Sequence, residues 1–137
     1  GWGVPGSPFM KAVATLFMSR STPEELESFV EMQALSADPD TAAELRRRIG
    51  AIDVSGILAK VTAPALVMHC EGDAIQSPEQ SKLIARTLPD AEFQLCPSPN
   101  HVVVPSDPIW GPCVDAFDRF LDADAAGQAP QSPTSSS

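Results

Sequence analysis

The fold is decided by residues 64–73, which read PALVMHCEGD, and by residues 91–101, which read AEFQLCPSPNH. The first stretch begins with an apolar run that is typical of a strand buried on both faces of a parallel sheet, so we expect a central strand. The second stretch alternates polar and apolar residues, as an edge strand does. Between them, residues 78–88 carry apolar side chains at helical spacing. The sequence therefore predicts a strand, a helix and a second strand.

One polar residue of interest follows the end of each strand. Asp73 comes after the first strand and His101 after the second. A crossover of this kind is almost always right-handed and brings both carboxyl ends to one edge of the sheet, so we expect the two side chains to lie close together. A carboxylate that orients an imidazole supplies two of the three parts of a nucleophilic triad. Taken singly, each residue is also typical of an ordinary loop.

The third part of such a triad is absent from the sequence. A nucleophile elbow requires Gly-x-Ser-x-Gly, which does not occur between residues 1 and 137. The chain begins at Gly1 without an initiating methionine. We therefore expect a fragment, the rear half of a longer enzyme.

Prolines that follow a capping residue predict the helix starts. The side chain before each proline can accept an unpaired N–H, and proline at the first helical position loses no hydrogen bond. Two starts, at Thr22 and Ser77, have the spacing of capping boxes. The five starts are Ser7-Pro8, Thr22-Pro23, Asp38-Pro39, Ser77-Pro78 and Asp107-Pro108.

The resulting fold class is α/β, in three parts. We expect residues 1–50 to form a segment of short amphipathic helices. Residues 51–122 form a parallel βαβ unit followed by a C-terminal helix. Residues 123–137 are rich in Ala, Gly, Gln, Pro and Ser, and we expect a disordered tail because this composition buries too little apolar surface.

Charge and hydropathy exclude several classes of protein. The net charge of −9 disfavours nucleic acid and anionic lipid surfaces as partners. The basic run 46–48 falls in the last turn of a predicted helix, where it complements the helix dipole. No apolar run is long enough to cross a bilayer, and no signal segment opens the sequence. We therefore expect a cytoplasmic location.

The cysteines and histidines suggest neither a cofactor nor a metal. Three cysteines lie far apart without Cys-x-x-Cys spacing, which favours buried thiols. An alternative is oxidation of Cys70 with Cys96, since both end predicted neighbouring strands. A metal site can be drawn from five residues, although their spacing matches no known ligand pattern. Those residues are His69, Cys70, Asp73, Cys96 and His101.

Residues 53–121 resemble the carboxyl-terminal part of α/β-hydrolase-fold proteins, of the branch often attached to nucleotide cyclases or LuxR-type regulators. The resemblance rests on residues 64–69, Gly72-Asp73, Asn100-His101 and the helix that begins at 107–110. Residues 1–50 resemble the cap of the same branch. The resemblance implies a partial α/β-hydrolase fold in which Asp73 fixes the tautomer of His101 and His101 acts as general base, then as general acid. It also implies a serine nucleophile and an oxyanion-hole loop upstream of Gly1.

The implied activity is hydrolysis of an ester, amide or related bond by the complete protein, with the N-terminal half of the same protein as partner. The segment alone should be inactive. The alternative is a non-catalytic sensor module of a signalling protein that binds a small molecule.

Apolar side chains in the cap segment suggest a small-molecule substrate with an apolar part. Packing into the core is the competing explanation for them. The side chains are Met10, Phe17, Phe29 and Met32. We expect His69, within the first strand, to be a core residue or to lie just behind the site.

Overall fold

The structure is a computed structural model that describes residues 1–4 and 6–128. Four helices precede the sheet, in the order α1 (Pro8–Phe17), α2 (Pro23–Ser36), α3 (Pro39–Ile49) and α4 (Ser55–Leu58). They are followed by β1 (Ala65–Cys70), α5 (Pro78–Thr87), β2 (Ala91–Cys96) and α6 (Trp110–Gln128). This is the predicted order of helices, parallel βαβ unit and final helix.

The two strands form a parallel sheet in register from Ala65 opposite Ala91 to Cys70 opposite Cys96. The expectation that β1 is buried on both faces is wrong for most of its length. Its first four residues are half-buried, and burial is reached at His69 and Cys70. The reason is that β2 is the single strand paired with β1 within residues 1–4 and 6–128. The buried end of β1 is the end that leads to Asp73.

Buried apolar side chains lie in two places. Met10, Ala14 and Met18 form the inner face of α1 and the turn after it. Cys96 is buried at the end of β2, and Ala116 is buried on α6. The residues between these two places are mostly polar, and they carry the site described below. None of the helices within the described ranges is long and apolar enough to span a membrane.

The helix caps follow the predicted pattern in part. The capping box at Thr22 forms, since its hydroxyl accepts from the Glu25 N–H at 3.2 Å and the Glu25 carboxylate accepts from the Thr22 N–H at 3.0 Å. The predicted box at Ser77 does not form. The Ser77 hydroxyl accepts from the Glu79 N–H at 3.3 Å, while the Gln80 N–H donates to the Ser77 carbonyl.

The final helix differs from its prediction at both ends. It begins at Trp110, because the Asp107 carboxylate is bound by other residues and the Asp107 carbonyl closes a turn with the Trp110 N–H at 2.9 Å. It continues to Gln128, so the expectation of a disordered tail from Ala123 is wrong for residues 123–128. Three alanines in that stretch have high helix propensity. Residues 129–137, where the rest of the predicted tail lies, are outside the described residues.

Candidate active site

Asp73 and His101, predicted to meet, are joined by a hydrogen bond of 2.6 Å between Asp73 Oδ2 and His101 Nδ1. An ionised carboxylate can only accept, so His101 Nδ1 carries the proton and donates it. The Asp73 side chain is 3% exposed, whereas the His101 side chain is 32% exposed. The buried carboxylate therefore orients an imidazole whose Nε2 remains for chemistry.

The loop after β1 holds the Asp73 carboxylate by backbone groups. Asp73 Oδ1 accepts from the N–H of Ile75 at 2.7 Å and from the N–H of Gln76 at 3.1 Å. Such a turn is one that aspartate favours, because its side chain mimics a backbone acceptor. Burial raises the pKa of Asp73, but the bonds from His101 and from these two N–H groups outweigh burial and leave the pKa below its ordinary value. Asp73 is therefore ionised at neutral pH.

A second imidazole lies behind the same carboxylate. His69 Nε2 is 3.0 Å from the Gln76 carbonyl oxygen and 3.5 Å from Asp73 Oδ2, and its Nδ1 is 2.7 Å from Ser81 Oγ. Because a carbonyl only accepts, His69 carries its proton on Nε2 and accepts the Ser81 hydroxyl proton at Nδ1. His69 therefore supports the loop that carries Asp73. The sequence placed it near the core but did not predict these contacts.

The loops of Asp73 and His101 touch through their backbones at Gly72. Its N–H donates to the Ser98 carbonyl at 3.0 Å. A Cβ at this position would lie 2.9 Å from Pro99 Cα and 3.3 Å from the Ser98 oxygen. Glycine is therefore required here by close approach, and this approach sets the spacing of the two catalytic candidates.

The loop of His101 is held from inside by Asp107, a residue that the sequence suggested only as a helix cap. The Asp107 side chain is fully buried. Its Oδ2 accepts from Ser98 Oγ at 2.5 Å and from Asn100 Nδ2 at 3.0 Å, and its Oδ1 accepts from the Ile109 N–H at 3.1 Å. The Arg20 guanidinium adds a contact of 3.4 Å.

The charge of Asp107 is preserved by these partners. Burial raises its pKa, but the Ser98 hydroxyl, the Ile109 N–H and Arg20 together hold the pKa below its ordinary value. An ionised carboxylate with every oxygen bonded fits a buried site, whereas an unpaired one does not.

Asn100 connects the same loop to the corner between α1 and α2. The side chain is fully buried, accepts from the Arg20 N–H at 2.7 Å and donates to the Arg20 carbonyl at 2.6 Å. The backbone N–H groups of His101 and Val102 both donate to the Phe17 carbonyl, at 2.8 Å and 3.0 Å. Helices α1 and α2 are thus attached directly to the loop that bears the imidazole. No local pattern in the sequence signals contacts 80 positions apart.

Aromatic rings from α1 and α2 lie beside His101. The Phe17 ring meets the imidazole edge to face, with centroids 5.3 Å apart, and packs on the Phe29 ring at 5.6 Å. Of the two methionines named with them, Met10 is fully buried in the core, as the competing explanation expected, and Met32 is 52% exposed. The ring that contacts the imidazole is that of Phe17.

The five residues from which a metal site can be drawn do not form a cluster of metal ligands. No cluster of three or more His, Cys, Asp or Glu side chains suited to a metal occurs among residues 1–4 and 6–128. The cysteines are all free thiols. Cys70 lies opposite Cys96 in the strand register, as expected from neighbouring strands, but the thiol within hydrogen-bonding distance of Cys96 is that of Cys113 on α6, at 3.6 Å.

Comparison with known proteins supports the fold. Neither a protein-family model nor a curated protein sequence matches the chain. The structure is similar to that of a hydrolase from Oleispira antarctica, with a TM-score of 0.63 and 23% sequence identity over 81% of this chain and 41% of that chain. It also matches an alpha/beta hydrolase from Sphaerobacter thermophilus, with a TM-score of 0.41 and 13% identity over 85% of this chain and 51% of that chain.

The chain thus spans about half the length, or less, of these two solved proteins. The likeness to the Oleispira protein shows a shared fold, and the helices, the parallel βαβ unit and the final helix are consistent with a partial α/β-hydrolase fold.

Proposed function

We propose that this chain is the carboxyl-terminal portion of a hydrolase that cleaves an ester, amide or related bond. Asp73 and His101 are its triad acid and general base, and the nucleophile belongs to residues that precede residue 1. The observation that carries the proposal is the 2.6 Å bond between Asp73 Oδ2 and His101 Nδ1, made by a carboxylate that is 3% exposed. The hydrolase-like fold is consistent with it.

The bond gives His101 the tautomer that general base catalysis needs. With the proton on Nδ1, the unprotonated Nε2 accepts the proton of a serine hydroxyl as its oxygen attacks the scissile carbonyl. The ionised Asp73 stabilises the imidazolium that forms. His101 then returns the proton to the leaving group, and the cycle repeats with water as the attacking group.

The aromatic surface beside His101 suits a substrate with an apolar part. Phe17 and Phe29 are half-buried, so their rings retain area for a ligand, and apolar walls with few polar groups are typical of small-molecule sites. Because the Phe17 carbonyl also accepts from the backbone N–H of His101, the same helix end supplies the aromatic surface and holds the base.

The test uses the full-length protein, including the residues before Gly1, and a series of p-nitrophenyl esters from acetate to octanoate. We expect Asp73→Asn and His101→Gln to lower kcat by about 10⁴-fold, as loss of a triad member does elsewhere. The matched control is Asp90→Asn, since Asp90 is an exposed carboxylate at the opposite end of β2. It should leave kcat unchanged.

A second measurement separates the geometry from the activity. Nitrogen-15 NMR of the imidazoles should place the His101 proton on Nδ1 in the wild-type protein. Turnover at the wild-type rate in either variant would refute the assignment. Binding of an apolar ester without any turnover, with that tautomer intact, would instead favour the sensor-module alternative.

A further inference from the structure

Two thiols flank the loop that bears His101. Cys96 ends β2 just before the loop, and Cys113 lies near the start of α6 just after it. Their sulfur atoms are 3.6 Å apart although the residues are 17 positions apart in the sequence. A disulfide bond is about 2.05 Å long, so the sulfurs need to approach by only about 1.5 Å.

The exposure of the two thiols differs in a way that suits stepwise oxidation. Cys96 is 2% exposed, whereas Cys113 is half-buried and within reach of a small molecule from solution. Burial raises the pKa of Cys96 to about 12, so this thiol is a poor first nucleophile. Cys113 is therefore the thiol that meets an oxidant first, and Cys96 is the neighbour that can react with its product.

The third cysteine is a natural internal control. Cys70 is buried and lies opposite Cys96 in the strand register. Across the described ranges, the thiol contact within hydrogen-bonding distance is that of Cys96 with Cys113. If Cys70 and Cys113 compete for Cys96, we therefore expect Cys113 to form the disulfide.

We propose that Cys96 and Cys113 are a redox modification site that forms an intramolecular disulfide and closes the loop carrying Ser98, Asn100, His101 and Asp107. The inference is independent of the proposed hydrolysis. It concerns only two sulfurs and the segment between them.

The oxidant is a hydroperoxide, and the step balances with it. The Cys113 sulfur attacks one peroxide oxygen, the O–O bond breaks, and a sulfenic acid and water result. The Cys96 sulfur then attacks Cys113 Sγ, the S–S bond forms, the S–O bond breaks, and the second water leaves with the Cys96 proton. Two thiols and one hydrogen peroxide give one disulfide and two waters.

Closing this loop restricts the unfolded chain, so the oxidised protein should be more resistant to heat. For a loop of this length we expect the Tm to rise by roughly 5–10 °C, provided that the bond forms without strain. The bond would also tie the two ends of the segment that positions His101, in addition to the network around Asp107.

The experiment treats the folded full-length protein with hydrogen peroxide, alkylates the remaining thiols, and maps the chain by mass spectrometry without reduction. We expect a peptide that joins Cys96 to Cys113, a loss of two hydrogens, and alkylation of Cys70 alone among the three. A reductant should restore all three thiols. Cys70→Ser should behave as the wild type, with the same rise in Tm.

Cys113→Ser provides the matched negative control, since Cys113 is the more exposed partner and serine keeps its size. This variant should form no cross-link and show no rise in Tm on oxidation. A cross-link between Cys70 and Cys96, three alkylated thiols after peroxide treatment, or oxidation of Cys113 to its sulfinic acid without a cross-link would each overturn the proposal. Because neither readout measures turnover, failure here would leave the proposed hydrolase function untouched.

Discussion

Asp73 and His101 lie on neighbouring loops but are held in place by different means. The Asp73 carboxylate is fixed by N–H groups two and three residues further along its own turn. The loop of His101 is fixed by partners from the other end of the chain, because Asn100 bonds to Arg20 and the His101 N–H bonds to Phe17. The position of Asp73 therefore depends on local structure, whereas the position of His101 depends on tertiary structure.

The two loops therefore depend on different parts of the molecule for their order. A local turn forms wherever its own few residues allow it, whereas a loop held by distant partners is ordered only when the whole molecule is folded. Substitutions on the His101 side, or at Gly72 where the two loops meet, should therefore cost global stability. Substitutions confined to the turn of Asp73 should act mainly on the site.

The largest expected effect is that of Asn100→Ala. It leaves the Arg20 N–H and the Arg20 carbonyl without their side-chain partner and removes one of the bonds to the buried Asp107 carboxylate. We expect the free energy of unfolding to fall by about 3 kcal/mol, as measured by urea denaturation. Gln94→Ala removes an exposed amide from β2 and should change stability by less than about 0.5 kcal/mol. Equal effects of the two substitutions would show that Asn100 does not hold the loop.

Gly72→Ala tests the place where the two loops meet. The added Cβ lies 2.9 Å from Pro99 Cα, so the backbones must separate. We expect a loss of about 1–3 kcal/mol in the free energy of unfolding and a weaker bond between Asp73 and His101, seen as loss of the Nδ1 proton signal in NMR.

Gly111→Ala is the control for that substitution. Gly111 lies in α6, and a Cβ added there would have open space around it, with no other atom within 4 Å. Alanine at this position should leave stability unchanged or raise it by up to about 1 kcal/mol. A loss as large as that of Gly72→Ala would remove the steric explanation.

The pH dependence of stability reports on the buried carboxylates. Both Asp73 and Asp107 have a pKa below the ordinary value when folded. A depressed pKa stabilises the folded state above the unfolded pKa of about 3.9, and this stabilisation is lost as the pH falls through the folded pKa. The free energy of unfolding should therefore drop more steeply between about pH 5 and about pH 3 in the wild type than in Asp107→Asn. Parallel curves would contradict the assignment of an ionised Asp107.

Arg20→Met should have the smallest effect. The Arg20 side chain is 49% exposed and its contact with Asp107 is long, at 3.4 Å. Such a pair contributes less than about 1 kcal/mol, and the bonds to Asn100 involve only the backbone of residue 20. A loss in urea denaturation that matches Asn100→Ala would show that the guanidinium, and not the backbone, carries the contact.

The same division explains what the sequence could predict. The βαβ unit, the cap at Thr22 and the meeting of Asp73 with His101 follow from local patterns and from the geometry of crossovers. The role of Asp107 does not, because an Asp-Pro pair looks like a helix cap until the buried partners Ser98 and Asn100 are known.

Other errors have the same origin in tertiary context. The half-buried faces of β1 depend on how many strands pair with it, which an apolar run does not specify. The pairing of Cys96 with Cys113 depends on where α6 packs, and the sequence offered only the adjacency of predicted strands. The extension of α6 to Gln128 reflects alanines whose helix propensity outweighs their small apolar area.

The Asn100 side chain bonds to the backbone N–H and the backbone C=O of residue 20, and every amino acid except proline supplies both groups. The side chain at position 20 can therefore change while the corner between α1 and α2 stays bonded to the loop of His101. Any residue except proline at position 20 can make these two bonds, as long as the backbone keeps the same turn.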